Sequence, residues 1–227
     1  MEKILFIGGS LTTKNVWALQ ETVLESHWHC DHLDINNSSS LTEMAERYVP
    51  SAPERFPIVA FSMGGYIALE LFRLIPNRIE KLILINSSAR ELCEVGKADR
   101  KRSLSLIKKG KFNFLINRIF KNSIHKYDQQ ESVISLLKEM AYEVGDETYA
   151  NQLLAMINKP DQSLILPKIQ CPVLILASRE DKVMPNERSE HLASMIKGSK
   201  LVYIEECGHM AMLEQSTILS KIIADWL

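Results

Sequence analysis

The sequence predicts an α/β fold, with a mostly parallel six-stranded sheet, helices on both faces and a helical insertion. Three observations carry this reading. Six short runs read as strands, all but His29 to Ile35 apolar along almost their whole length, as strands buried on both faces must be. Stretches with apolar residues at helical spacing lie between most of them, and helical crossovers join parallel neighbours. The stretch 89–166 has helical periodicity throughout and no strand pattern. With 227 residues, 46% hydrophobic and 24% charged, the chain can bury one sizeable core and is too evenly mixed to stay disordered.

The first strand is Ile4 to Ile7, closed by Gly8-Gly9. A helix from Asn15 to Glu25 sets Val16, Leu19 and Val23 on one face, and the second strand follows at His29 to Ile35. The third strand, Ile58 to Phe61, runs into a helix from Gly64 to Ile75 that Pro76 terminates. The fourth is Leu82 to Ile85. After the insertion come Val173 to Leu176, a helix over Asn186 to Ile196, the sixth strand Leu201 to Ile204 and a last helix over Ser216 to Leu227. Right-handed crossovers give the order 2-1-3-4-5-6. Residues 1–88 and 167–227 then form the core and 89–166 a cap. Such insertions lie over the carboxyl edge of the sheet, where open α/β folds keep their sites, so the cap is expected to shape a substrate pocket.

Candidate chemistry begins at Ser62. The run Ile58-Val59-Ala60-Phe61-Ser62-Met63-Gly64-Gly65 is a buried strand turning sharply into a helix, with small residues two positions either side of the serine. A strained, exposed serine at such a junction suits a nucleophile, while the same letters also describe a helix that Ser62 caps. Two later features bear on the choice. The fifth strand leads to Ser178-Arg179-Glu180-Asp181, and the sixth to Cys207-Gly208-His209-Met210. An imidazole can take the proton of an otherwise weak serine nucleophile, and a carboxylate can orient that imidazole. Glu180 and Asp181 compete for the last role. Asn86, Ser87 and Ser88 follow the fourth strand, so no carboxylate stands there.

Nucleophile, acid and histidine, each past the carboxyl end of a strand, is the chain order of the α/β-hydrolase triad. Together with Ile4-Leu5-Phe6-Ile7-Gly8-Gly9-Ser10 followed by Trp17, Ala52-Pro53-Glu54-Arg55-Phe56 before the elbow, and Gly208-His209 before Leu213-Glu214-Gln215, it makes nearly the whole chain resemble the α/β-hydrolase fold family, in its serine hydrolase, carboxylesterase-like subgroup with a trimmed N-terminus. The resemblance implies Ser62, Asp181 and His209 as catalytic residues, Asp181 being favoured by its spacing to Pro185, and the backbone N–H groups of Ser10 and Met63 as an oxyanion hole. It implies no cofactor, and ester cleavage through an acyl-enzyme. Thioesterase, lactonase and carbon–carbon hydrolase or lyase chemistry use the same triad, and some proteins of this fold are ligand receptors. The chain departs from the family in Ala60 and Gly8, where many relatives carry Gly and His or Pro, and in Ser216, where a proline often opens the last helix.

His27-Trp28-His29-Cys30-Asp31-His32 spells the H-x-H-x-D-H string of zinc-dependent metallo-β-lactamase-like hydrolases. Its position near the N-terminus and its continuation into Leu33-Asp34-Ile35 argue against a metal site. Net charge of −1 gives no global reason for a nucleic-acid partner. Local charge differs: from Lys97 to Lys121 nine basic residues stand against Asp99 alone. This is either a solvated helix face or a docking surface for an acidic partner, such as an acyl carrier protein feeding its chain to Ser62, as in carrier-linked pimeloyl ester esterases of the same fold. The expected substrate is a small or carrier-bound acyl ester. No signal peptide or membrane span is legible, and scattered Cys30, Cys93, Cys171 and Cys207 read as reduced thiols, Cys207 as a packing residue, so a cytoplasmic monomer or homodimer is expected.

Overall fold

The computed structural model describes every residue except Asn37. Six strands, β1 (Glu2–Ile7), β2 (Trp28–His32), β3 (Phe56–Phe61), β4 (Ile79–Ile85), β5 (Val173–Ser178) and β6 (Lys200–Ile204), form one sheet in the order β2-β1-β3-β4-β5-β6. Every pairing is parallel. The second strand is shorter than expected. Its register with β1 ends at Phe6 opposite His32, although Leu33 still donates its N–H to the Phe6 carbonyl at 3.0 Å.

Strand alternation divides the core into two layers. Leu5, Ile7, Ile58, Ala60, Leu82, Leu84, Val173 and Ile175 face one side. They pack there with α2 (Leu41–Tyr48), α3 (Met63–Leu74) and α7 (Asn186–Met195) through Met44, Ile67, Leu71 and Leu192. Ile4, Phe6, Val59, Phe61, Ile83, Ile85, Leu174 and Leu176 face the other, against α1 (Ala18–Leu24), α8 (Ala211–Glu214) and α9 (Ser216–Trp226). The chain from β4 to β5 contributes α4 (Glu94–Lys108), α5 (Phe112–Ser123) and α6 (Glu131–Asn158), the last broken at Gly145, where φ is 77°. Leu115, Ile116, Phe120, Leu137 and Leu153 from these helices join the second layer.

Two local readings change. The first helix buries Val16, Trp17, Gln20 and Leu24, while Leu19 and Val23 are 50% and 48% exposed. Gln20 displaces the expected apolar face because its amide donates to the Met212 carbonyl (3.1 Å) and Ser220 Oγ (3.2 Å), tying α1 to the C-terminal helices. In α6, Leu154 shares the helical spacing of Leu153 and Ile157 but is also exposed. Helix α2 is an element the apolar pattern did not reveal. Its signal was a capping sequence: Ser40 Oγ accepts from the Glu43 N–H at 3.3 Å, three residues on. Among the described residues no helix is long and apolar enough to cross a membrane.

Candidate active site

Strand order locates the site before any side chain is considered. From β1 the chain crosses to β2 on one side and, through β3, to the rest of the sheet on the other. The crevice beyond the carboxyl ends of β1 and β3 is therefore the topological switch point. Backbone strain collects along the same rim. Leu11 (φ 60°), Ser62 (52°), Asn86 (45°) and Glu206 (51°) follow β1, β3, β4 and β6 in the left-handed half of conformational space, where non-glycine residues are rare.

Ser62 occupies the tight turn between β3 and α3, with its N–H donating to the Ile85 carbonyl (3.0 Å) and its carbonyl accepting from Ser87 Oγ (2.8 Å). Such closeness explains Gly64, where a Cβ would fall 2.6 Å from the Gly8 carbonyl oxygen and nearer still to that of Ile7. Only glycine lets the first turn of α3 approach β1 so closely.

Three side chains distant in sequence meet here. His209 Nε2 lies 3.0 Å from Ser62 Oγ, and its Nδ1 lies 2.6 Å from Asp181 Oδ2. An ionised carboxylate only accepts, so Nδ1 carries the proton and Nε2 is left to accept from the serine hydroxyl. Asp181 is held in turn, its Oδ1 accepting the N–H groups of Val183 (2.7 Å) and Met184 (2.9 Å). The neighbouring carboxylate does something else: Glu180 Oε2 accepts the Cys207 N–H at 2.8 Å and braces the histidine loop.

Several residues that sequence reasoning did not single out for a structural task hold this arrangement. Asn86 donates to Ser178 Oγ (2.8 Å) and to the His209 carbonyl (2.9 Å), and accepts from the Ser178 N–H (2.8 Å), joining β4, β5 and the histidine loop. Glu214 accepts three backbone N–H groups, from His125 (2.7 Å), Gly208 (3.0 Å) and Met210 (3.0 Å). Burial raises its carboxyl above the ordinary range, against the pull of those bonds. The His209 N–H donates to the Ser123 carbonyl at the end of α5 (2.6 Å), so the insertion also touches the histidine loop. Cys207 is fully buried, and burial pushes its thiol up to about 12, as befits a packing residue.

Ser10 and Met63 line the same cavity as Ser62 and His209, a space of about 320 Å³. Ser10 Oγ donates to Met63 Sδ at 3.3 Å, so the two segments expected to supply oxyanion donors touch. Leu11, Ile119, Phe120, Leu153, Met156 and Met184 give the cavity apolar walls, while Asp99, Arg100, Arg118 and Lys182 add charge. The histidine string lies elsewhere, on edge strand β2 and the turn before it. There His32 pairs with Glu21 (2.9 Å), Asp31 with Lys3 (3.3 Å) and His27 with Ser26 (2.7 Å). Among the described residues no group of three or more His, Cys, Asp or Glu side chains is placed to hold a metal ion.

Over 184 residues the chain is 24% identical to a pimeloyl-acyl-carrier-protein methyl ester esterase of Nitrosomonas europaea, covering 77% of this chain and 72% of that enzyme. Over 183 residues it is 22% identical to a putative carbamate hydrolase of Pseudomonas savastanoi pv. phaseolicola, covering 77% and 68%. A solved thermophilic esterase from Thermogutta terrifontis superposes with a TM-score of 0.89 at 22% identity, over 100% of this chain and 89% of its own. The model of the alpha/beta hydrolase fold matches residues 51–216, a span that takes in the elbow, the inserted helices and the loops bearing Asp181 and His209. On that match the chain belongs to the alpha/beta hydrolase fold family.

Proposed function

We propose that this protein is a serine hydrolase that cleaves carboxylic esters through an acyl-enzyme intermediate. The observation that carries the reading is the unbroken hydrogen-bonded line from Asp181 through His209 to a strained Ser62 that lines a cavity of mixed apolar and charged walls. His209 Nε2 takes the hydroxyl proton as Ser62 Oγ attacks the ester carbonyl. The resulting oxyanion is held by the N–H groups of Ser10 and Met63, donors typically worth about 3 kcal/mol each in such a barrier. The imidazolium then protonates the departing alkoxide, leaving an acyl-serine. Water, deprotonated by the same imidazole, attacks it and releases the acid. Asp181 keeps Nδ1 protonated and steadies the imidazolium. The inserted helices, residues 89–166, serve as the cap that encloses the acyl chain.

The substrate class we favour is an acyl ester carried by an acidic protein. Among the described residues, Lys101, Arg102, Lys108, Lys109, Lys111 and Lys121 are exposed and have no acidic partner, so their charge is available to a docking surface. A carrier-linked pimeloyl ester is what the Nitrosomonas relative acts on by its name. Four cysteines without disulfides suit a reducing compartment such as the cytoplasm.

The test is covalent labelling by a fluorophosphonate together with hydrolysis of p-nitrophenyl esters. Wild-type protein should label on Ser62 and turn over. Ser62→Ala should lose labelling and at least about 1,000-fold in kcat. A folded wild-type protein that neither labels nor hydrolyses any ester would make the fold a ligand receptor instead.

A further inference from the structure

We propose that Gln152, on the inserted helix α6, is a positioning residue that sets the oxyanion loop, so that occupancy of the acyl cavity and transition-state stabilisation are linked through one side chain. The inference rests on the esterase reading above.

The loop after β1 is held at two successive peptide units. Thr12 Oγ1 donates to the Gly9 carbonyl at 2.8 Å. That carbonyl shares its peptide plane with the Ser10 N–H, so the bond sets the direction of the donor. The next plane contains the Ser10 carbonyl and the Leu11 N–H, and the latter donates to Gln152 Oε1 at 3.1 Å across 141 positions of sequence. Ser10 is therefore clamped between one anchor inside its own loop and one outside it. The outer anchor works against strain, because Leu11 sits at φ 60°. The loop backbone also has no slack toward the nucleophile: a Cβ on Gly9 would lie 3.2 Å from Ser62 Cβ.

Gln152 is fully buried, and its Nε2 has no hydrogen-bond partner among the described residues. An unspent buried donor is a cost that an apolar residue of similar size would avoid. Its retention is accounted for if the oxygen on the same amide is needed at Leu11. The helix that carries it is also the wall of the site. Tyr149, Leu153 and Met156 line the cavity from the same turns of α6, beyond the break at Gly145. An acyl chain packed on those three side chains steadies the turn that holds Leu11, and hence the Ser10 N–H. Short acyl groups leave that turn unsupported.

The experiment measures kcat and KM for p-nitrophenyl esters of increasing acyl length, with affinity for an aryl boronic acid that forms a tetrahedral adduct on Ser62. Wild type should show kcat rising with acyl length as well as KM falling. Gln152→Leu should lose roughly 10- to 100-fold in kcat and a similar factor in boronate affinity. Its kcat should become insensitive to acyl length, while KM still falls along the series because the cavity wall is intact. Gln152→Glu, which keeps an oxygen at Leu11, should stay within about fivefold of wild type. Melting temperatures accompany each variant, and if Gln152→Leu does not fold, Gln152→Met and Gln152→Glu decide the matter. A Gln152→Leu enzyme with wild-type kcat, a loss seen in KM alone, or a Gln152→Glu variant as impaired as the apolar ones would overturn the proposal. Failure of the esterase reading is distinguishable, since it shows as a wild-type protein inert to every ester.

Discussion

The loops along the carboxyl rim of the sheet and the helices above them are held by different forces. At the rim, strained residues are pinned by short polar bonds: Asn86 makes three, the Glu214 carboxylate accepts three backbone N–H groups, and Asp181 and Glu180 each fasten a loop. The inserted helices are fixed chiefly by apolar contact through Leu115, Ile116, Phe120, Leu137 and Leu153, with their charged faces in solvent. Directional bonds over-determine geometry, which proton transfer needs. Apolar packing tolerates repacking, which suits a wall that must fit acyl chains.

The sharpest way to break this contrast is Asp181→Asn. The side chain keeps its size, but an amide nitrogen facing His209 Nδ1 favours the tautomer with the proton on Nε2, which then cannot accept from Ser62. Turnover should fall by roughly 10⁴-fold with little change in melting temperature. Pre-steady-state measurement of acylation checks it; a loss below about tenfold would mean that Asp181 does not orient the imidazole.

Glu214→Gln acts on the frame rather than the chemistry. Oε2 receives the His125 and Gly208 N–H groups and Oε1 that of Met210. An amide supplies one acceptor in place of two and turns an NH₂ toward a donor, leaving at least one buried N–H unpaired. Unfolding free energy should fall by about 2–3 kcal/mol, with a drop of several degrees in melting temperature. An unchanged melt would show the histidine loop to be held by other contacts.

How much of this was legible in the sequence follows the same division. The strand order, and the placing of Ser62, Asp181 and His209 beyond three strand ends, came from apolar runs and from the order of residues along the chain. The tasks of Gln152, Glu214 and Asn86 left no such trace, because each acts mainly through backbone groups, and a backbone N–H has no letter. The first helix was misread for a related reason. Leu19 and Val23 satisfied the periodicity, but the buried face belongs to Gln20, whose partners Met212 and Ser220 are far off in sequence. The choice of Asp181 over Glu180 rested on the resemblance and on the spacing to Pro185, and their different partners, His209 for one and the Cys207 N–H for the other, have no counterpart in the sequence.

Lys159 sharpens the contrast at the end of α6, where the insertion rejoins the core. The residue is 5% exposed, and its side-chain nitrogen donates to the Arg90 carbonyl and lies 3.9 Å from the centre of the Tyr66 ring. Burial, and then Arg100, push it down to about 7. In the unfolded chain a lysine stays protonated to about pH 10.4. Between roughly pH 7 and 10 the unfolded state therefore binds a proton that the folded state does not, and stability rises with pH across that window. Lys159→Met should flatten the rise by about 2 kcal/mol between pH 7 and 9.5. Chemical denaturation at both pH values reads this directly, and an unaltered slope would leave Lys159 charged in the fold.

The smallest effect expected concerns the charged outer face, and it separates docking from chemistry. Lys101 and Lys108 on α4 are exposed, unpaired among the described residues and outside the cavity lining. Reversing both as Lys101→Glu and Lys108→Glu leaves the line from Asp181 to Ser62 untouched, so hydrolysis of a p-nitrophenyl ester should stay within about twofold of wild type. An acidic carrier would meet repulsion where attraction stood, and long-range steering acts mainly on association. KM for a carrier-bound ester should rise about tenfold at low salt. That difference should shrink toward none near 0.5 M salt, where the screening length falls to a few ångströms. Equal turnover of the carrier-bound ester by both proteins at low salt would assign these lysines to an ordinary solvated helix face, with specificity residing wholly in the cavity beneath.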